Sequence, residues 1–306
     1  MEHIGRFAPT PSGRMHLGNV FAALIAWLSV KSKQGAMVLR MEDLDTQRTS
    51  DAFAQVLRED LQWLGLTWDL ETTQQSKLGK VYDQYLQILQ DKGLIYPCFC
   101  TRSQLHSVNA PHAADGTYIY DGRCRNLSRE EQAAFGRNGA LRLMVPEKEY
   151  VVQDLCFGEF RQNLANDCGD FVVRRADGVH VYQLAVTVDD GLAGVTEVVR
   201  GVDLLGSAPR QMYLQELLNF AHPAYGHVPL LLAPDGRRLS KRDQDLDLGE
   251  IRKRLTPQQL LGLLGHTAGI IDQNDPISLE ELTKEFAWEK IKKQDVCVDS
   301  GIYLAF

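Results

Sequence analysis

Between residues 20 and 28 the chain is apolar almost without a break, a run that predicts a buried helix. Short apolar stretches at residues 3–8 and 37–43 flank it and read as strands. Strand, helix, strand in that order predicts two parallel neighbours and a doubly wound α/β sheet. Residues 51–64 place Phe53, Val56, Leu57, Leu61 and Leu64 at helical spacing, and residues 78–92 form a second amphipathic helix ending at Gly93. From there to about Asp177 the texture changes to loops and short mixed strands, expected to be an insertion in the sheet domain. The sheet is expected to resume with strands at 181–188 and 196–201. Ser207 and Pro209 then start a helix that runs to Phe220. Residues 228–233 read as a strand, and Pro234-Asp235-Gly236 is a turn signal. Beyond Lys241 the pattern is helical, with Thr256-Pro257 capping one helix and a capping box from Ser278 to Glu281 starting another. Four segments are expected: the first half of the sheet domain at 1–95, the insertion at 96–178, the second half at 179–245 and a helical region at 246–306.

Composition changes this picture little. Of 306 residues, 44% are hydrophobic and 24% charged, the balance of a globular soluble chain able to bury substantial cores. The apolar helix is too short to span a membrane and no basic leader is read, so a cytoplasmic protein is expected. A formal net charge of −7 means that a nucleic-acid partner must meet a local basic patch, for which residues 237–254 are the best stretch. No internal repeat or low-complexity segment stands out.

Two short motifs carry candidate chemistry. His16-Leu17-Gly18-Asn19 lies at the predicted strand-to-helix turn, behind the loop Pro9-Thr10-Pro11-Ser12-Gly13. A helix N-terminus with unpaired backbone N–H groups is a seat for phosphates. Gly18 has no side chain to hold a nucleotide away, and His16 can offer a ring N–H to a triphosphate oxygen. Leu239-Ser240-Lys241-Arg242 follows the predicted turn, with Arg237 and Arg238 adding to its cations. Such a loop can neutralise charge that builds as pyrophosphate leaves. Alone, the first motif reads more readily as an ordinary loop with a helix-capping polar residue and the second as a solvated basic turn.

Six cysteines without a secretory leader are expected to be reduced. Cys98 and Cys100 form a Cys-x-Cys pair and Cys124 follows, which suits part of a tetrahedral zinc site. Spacing leaves the fourth ligand open among His106, His112 and the less usual Tyr120, and three inert buried thiols are the alternative. Cys156, Cys168 and Cys297 are expected in the core. Arg6, Glu42 and Arg200 all fall late in, or just after, predicted strands, where ligands dock in open parallel sheets. Two cations and an anion there suit a small zwitterion with an extra acid group.

Taken together, the two motifs resemble the HIGH and KMSKS signatures of class I aminoacyl-tRNA synthetases. Arg6-Phe7-Ala8-Pro9-Thr10-Pro11-Ser12-Gly13, the stretch from Leu39 to Asp45 and the stretch from Val199 to Leu205 narrow the resemblance to the glutamyl-tRNA synthetase branch. The resemblance implies that Arg6, Phe7, Ala8, Pro9, Thr10, Glu42, Tyr182 and Arg200 hold L-glutamate. Glu42 would take its ammonium, and Arg200 would grip its side-chain carboxylate through a bidentate pair. It implies that His16, Gly18 and Lys241 bind ATP with Mg²⁺, and that His16, Asn19, Ser240 and Lys241 serve catalysis. Leu239 and Arg242 depart from the usual second motif while Ser240 and Lys241 remain. The chain stops about 65 residues past that motif, and the expectation is that no anticodon-reading domain is present. Short members of this kind resemble the glutamyl-queuosine tRNA(Asp) synthetases, which activate glutamate without tRNA and esterify it to queuosine at the wobble position. That subfamily's zinc pattern, Cys-x-Cys then Tyr-x-x-x-Cys, falls on Cys98, Cys100, Tyr120 and Cys124. The implied partners are L-glutamate, ATP and queuosine-bearing tRNA(Asp), with one structural Zn²⁺, no membrane, and a monomer. The alternatives are a short synthetase charging the tRNA 3′ end and a catalytically inactive RNA-binding relative.

Overall fold

The computed structural model describes residues 3–105, 119–237, 239 and 247–298. Its strands, in chain order, are β1 (Ile4–Phe7), β2 (Ala36–Leu39), β3 (Leu70–Glu71), β4 (Ile95–Cys98), β5 (Ala140–Leu143), β6 (Glu149–Asp154), β7 (Gly158–Asn163), β8 (Phe171–Arg174), β9 (Glu197–Gly201), β10 (Ala224–Val228), β11 (Leu231–Leu232) and β12 (Val296–Cys297). Seven of them form the main sheet in the order β3-β2-β1-β9-β10-β6-β7, parallel throughout except for the β6–β7 hairpin. β2 is buried along its whole length and β9 along all but its last residue, as expected of strands covered on both faces. The chain winds outward from β1 through β2 to β3 and returns to the other side of β1 with β9 and β10. The switch point therefore lies between β1 and β9, and a crevice is expected at their carboxyl ends.

The Leu17–Lys31 helix lies across this switch point with Leu17, Val20, Phe21, Leu24, Ile25 and Leu28 in the core. Its close approach depends on Gly5, where an added Cβ would stand 2.3 Å from Val30 Cγ2. The Asp51–Trp63 and Gly79–Asp91 helices follow the predicted amphipathic pattern, and Ser50 caps the first through the Phe53 N–H. The Ala208–Leu218 helix begins with Pro209 in its first turn, the predicted capping box forms at Ser278/Glu281, and the predicted cap at Thr256 is itself a capping box with Gln259.

Two expectations are corrected. Residues 181–188 are not a strand: Tyr182–Leu192 is a helix. Its β-branched Val181, Val186 and Val188 mislead, because burial surrounds this helix and includes Thr187, Asp189 and Asp190. The Thr187 hydroxyl donates back to the Gln183 carbonyl at 2.8 Å, a helical contact, and the helix turns two adjacent acids toward one arginine. The predicted strand at 228–233 is two short ones, because Pro229 offers no N–H to continue β10. β11 pairs instead with β12, in parallel.

Within the segment read as an insertion, β4, β5 and β8 make a separate antiparallel sheet. β6 and β7 do not stay with it; β6 pairs with β10 on the edge of the main sheet. Among the described residues, no helix is long and apolar enough to cross a membrane.

Candidate active site

A cavity of about 560 Å³ opens at the carboxyl ends of β1, β9 and β10, against the start of the Leu17–Lys31 helix. Arg6, Phe7, Ala8, Pro9, Thr10, His16, Gly18, Asn19, Glu42, Tyr182 and Arg200 all line it. Every residue expected to hold glutamate is thus brought to one place, from segments almost two hundred residues apart. Backbone hydrogen bonds fix the loop after β1: Phe7 O accepts from Arg40 N at 3.0 Å, Pro9 O from Glu42 N at 3.0 Å and Pro11 O from Ser50 N at 3.1 Å. His16 occupies the N-cap position in extended conformation, and no side chain caps the helix. The helix start therefore faces the cavity with its dipole unopposed by any acidic residue in the first turn.

Ser240, Lys241 and Arg242 lie outside the described residues, as do Arg238, His106 and His112. The positions flanking the second motif are placed, however. Leu239 lines the cavity, and Asp247 pairs with His16 as an isolated β-bridge, with Leu248 N donating to Met15 O at 3.0 Å. Behind this junction the buried carboxylate of Asp60 meets Arg252 Nη1 at 2.8 Å and Arg14 Nε at 3.5 Å.

Three buried arginines shape the floor, and their partners differ in kind. Arg40 is fully buried and faces Asp190 at 2.6 Å, Glu42 at 3.1 Å and Asp189 at 3.6 Å. Arg6 donates to Val199 O at 2.9 Å, and its Nε stands 3.6 Å from Asp190. Burial raises the carboxyl of Glu42 above the ordinary range against the pull of Arg40. Asp189 is likewise raised by burial, although it accepts from Gln75 and Tyr82. For Asp190 burial acts in the same direction, but Arg40 and Arg6 outweigh it and hold the carboxyl below the usual value.

Arg200 is different. Its Nε donates to His227 Nε2 at 3.1 Å, Nη1 to Gln211 Oε1 at 2.9 Å and to the Tyr182 hydroxyl at 3.2 Å, and Nη2 to the Leu204 carbonyl at 3.2 Å. Four of its five N–H groups are committed, all to uncharged acceptors. The positive charge is therefore not cancelled by a hydrogen-bonded acid. One Nη2 N–H remains, so a two-pronged grip by Arg200 alone requires releasing one of these partners. The adjacent Tyr182 hydroxyl, accepting from Arg200, keeps its own O–H to donate.

Sequence reasoning found the lining but missed its support. Arg40, Asp154, Asp189, Asp190, Gln211 and His227 are all buried polar residues behind the cavity wall. The adjacent acids in an otherwise apolar segment at 181–190 were a usable signal. Asp154 and His227 carried none, because their contact joins positions 73 residues apart.

The cysteine cluster lies away from this cavity. Cys98, Cys100 and Cys124 bring their sulfurs within 4.8 Å of one another, an arrangement able to hold a metal ion. Cys100 and Cys124 are 3.7 Å apart, and tetrahedral thiolates on zinc stand about 3.8 Å apart. The Tyr120 hydroxyl sits 3.5 Å from Cys98 Sγ and 3.8 Å from Cys100 Sγ, and it accepts the Cys124 N–H at 3.0 Å. Burial and the neighbouring Cys98 sulfur push the Cys100 thiol up to about 12. Cys156 and Cys168 are buried elsewhere, whereas Cys297 is exposed, against the expectation of a core position.

A doubly wound, mostly parallel sheet with a cavity at its switch point is the α/β fold of class I synthetases, and comparison with known proteins gives the family. Residues 4–302 match the family described as tRNA synthetases class I (E and Q), catalytic domain. The chain belongs to that family and is a ligase of the aminoacyl-tRNA synthetase type. It is 44% identical to the Glutamyl-Q tRNA(Asp) synthetase of Symbiobacterium thermophilum, covering 95% of this chain and 94% of that one. It is 43% identical to the protein of the same name from Nitratidesulfovibrio vulgaris, covering 87% and 86%. Among solved structures it resembles a glutamate tRNA ligase from Elizabethkingia meningosepticum, crystallised with its amino acid. The TM-score is 0.83 at 26% identity, over 99% of this chain and 68% of that one.

Proposed function

We propose that this enzyme activates L-glutamate with ATP, without needing tRNA, and transfers it to the queuosine base at the wobble position of tRNA(Asp). The observation that carries the glutamate reading is that Arg200, lining the same cavity as Glu42, has no acid among its hydrogen-bond partners in the described residues. An α-amino group meets the Glu42 carboxylate, and the side-chain carboxylate meets the remaining Arg200 N–H together with the Tyr182 O–H. Glutamine, uncharged at that end, forfeits the charge-assisted pairing. The acceptor is read from the names of the similar proteins.

In the first step the glutamate α-carboxylate attacks the α-phosphorus of ATP and pyrophosphate leaves. Charge grows on phosphate oxygens, where the helix N-terminus, the His16 ring and Lys241 stabilise it. Mg²⁺ bound with ATP would offset phosphate charge. A hydroxyl of the queuosine ring then attacks the carbonyl carbon of the mixed anhydride, AMP leaves, and the adenylate phosphate takes the proton. Cys98, Cys100, Cys124 and the Tyr120 hydroxyl fit one structural Zn²⁺, which would tie β4 to the segment at 120–124.

Glutamate incorporation into three RNAs tests the reading: an anticodon stem-loop bearing queuosine, the same loop with guanosine, and a tRNA(Glu) transcript. Incorporation into the first alone is expected. Incorporation into the last and not the first would instead install a short glutamyl-tRNA synthetase, the reading that the Elizabethkingia likeness favours. Arg200→Gln is expected to lower the preference for glutamate over glutamine in pyrophosphate exchange by on the order of a hundredfold, from a lost pairing of about 3 kcal/mol. An unchanged preference would remove Arg200 from the reading.

A further inference from the structure

The contact behind Arg200 decides how that residue can act. His227 is completely buried, and its Nε2 accepts the Arg200 Nε–H at 3.1 Å. A ring nitrogen that accepts cannot carry a proton, so the imidazole proton sits on Nδ1. There it meets Asp154 Oδ2 at 2.6 Å. Asp154 is fixed in turn by the backbone N–H groups of Cys156, at 3.0 Å, and Phe157, at 2.9 Å, in the β6–β7 turn, and by that of His227 itself. Burial lowers the basicity of His227, which agrees with a neutral ring. The order is carboxylate, neutral imidazole, guanidinium, with the carboxylate one ring removed from the arginine.

The other hydrogen-bond partners of Arg200 have the same character, while buried Asp190 and Arg6 act on it only through space. Gln211 accepts from Nη1 and donates to Gln183 Oε1 at 3.1 Å, and Gln183 donates to Ser207 Oγ at 3.0 Å, a wholly uncharged chain. The Arg200 guanidinium also lies 5.6 Å from the Tyr225 ring centroid. Arg40, by contrast, meets three carboxylates. A carboxylate in the place of His227 would aim Arg200 equally well but cancel the charge that a substrate carboxylate needs.

We propose that His227, locked by Asp154 as its Nδ1–H tautomer, is a positioning residue that aims Arg200 into the cavity while preserving its charge, and so sets the selection of glutamate over glutamine. The inference rests on the reading of Arg200 as the group that meets the substrate side chain. It assigns a function to two buried residues, Asp154 and His227, that never touch the substrate.

The test uses the full-length enzyme and four variants, His227→Gln, His227→Glu, His227→Phe and Arg200→Gln. Pyrophosphate exchange gives KM for glutamate, KM for ATP and the glutamate-to-glutamine preference, and thermal melting follows the fold. Gln and Glu have the same shape and both accept a hydrogen bond, but only Glu carries charge. His227→Gln is expected to stay within about fivefold of the parent in glutamate KM, and His227→Glu to be at least tenfold worse than His227→Gln. In both, ATP KM is expected to move less than twofold. His227→Phe, if folded, is expected to raise glutamate KM and erode the preference, with His227→Gln as its rescue. Equal glutamate KM in the Gln and Glu variants, or parallel changes in the glutamate and ATP constants, would overturn the inference. Arg200→Gln separates the two levels. If it leaves the preference intact, the underlying reading fails; if it abolishes the preference while the His227 variants do nothing, only the positioning role fails.

Discussion

Arg40 and Arg200 are the same amino acid and both are buried, yet their surroundings give them opposite uses. Arg40 is held among Asp190, Glu42 and Asp189 and serves to keep those acids together. Removing one partner leaves buried charge uncompensated, so Asp190→Asn is expected to destabilise the fold by about 3–5 kcal/mol, read by denaturant unfolding. An effect within experimental error would mean that Arg40 is satisfied without it. Glu42 supplies a pH signature. Its side chain is only 11% exposed, and burial raises its carboxyl above the ordinary Glu value of about 4.3. A carboxylate must be ionised to hold an ammonium, so a raised value moves its protonation to higher pH. Glutamate kcat/KM is therefore expected to fall on acidification at a pH above the ordinary value. Glu42→Gln should lose that acid limb together with most activity, and a variant that retained the same limb would assign it to another group.

At the scale of elements, legibility followed the covalent neighbourhood. The apolar run at 20–28, the Pro209 start and the capping boxes at Thr256 and Ser278 are local signals, and the structure honours them. The Tyr182–Leu192 helix was misread because its conformation answers to partners elsewhere in the chain. Asp189 and Asp190 are drawn to Arg40, about 150 residues away, and valine-rich sequence says nothing of that. Pattern placed Arg6, His16, Glu42 and Arg200 at strand and helix ends, and the resemblance of the local motifs, not pattern alone, made the cavity lining legible. Their support was not, since Gln211, His227 and Asp154 acquire meaning only when β6, β9 and β10 lie side by side. Gly5 offers an element-scale test. Gly5→Ala places a methyl 2.3 Å from Val30 Cγ2, so the Val30 side chain must turn away or the Leu17–Lys31 helix move outward from β1. A loss of about 1–3 kcal/mol in unfolding free energy is expected. Where the helix moves, ATP KM should rise as well, because His16 and the helix N-terminus move with it. A shift in neither would show that the interface has slack.

On the scale of the whole molecule, the described part of the candidate cavity is positioned by the chain's own groups. Arg6, Arg40 and Arg200 are each oriented by protein partners, so pyrophosphate exchange with glutamate is expected at full rate without RNA. Exchange that appeared only on adding tRNA would show that the cavity waits for its acceptor. Purified enzyme is expected to carry about one zinc per chain, measured by elemental analysis, and Cys98→Ser or Cys124→Ser to lose it. Tyr120→Phe with undiminished zinc would discharge the tyrosine hydroxyl from ligation. Transfer to RNA should suffer more than adenylate formation, because the cluster stands apart from the cavity.

The path of the chain through the region at 96–178 has a further implication for engineering. The segment looks like a cassette that could be cut out and the flanking ends rejoined. It is not one, because β6 covers the outer edge of β10 and β7 covers β6. Excision would leave β10 as a bare strand edge, open to pairing with another chain. It would also strip Asp154 from His227, in the middle of the catalytic half that remains. The region is better compared to a splice than to a graft: its ends sit in its own small sheet while β6 and β7 in its middle are woven into the main one.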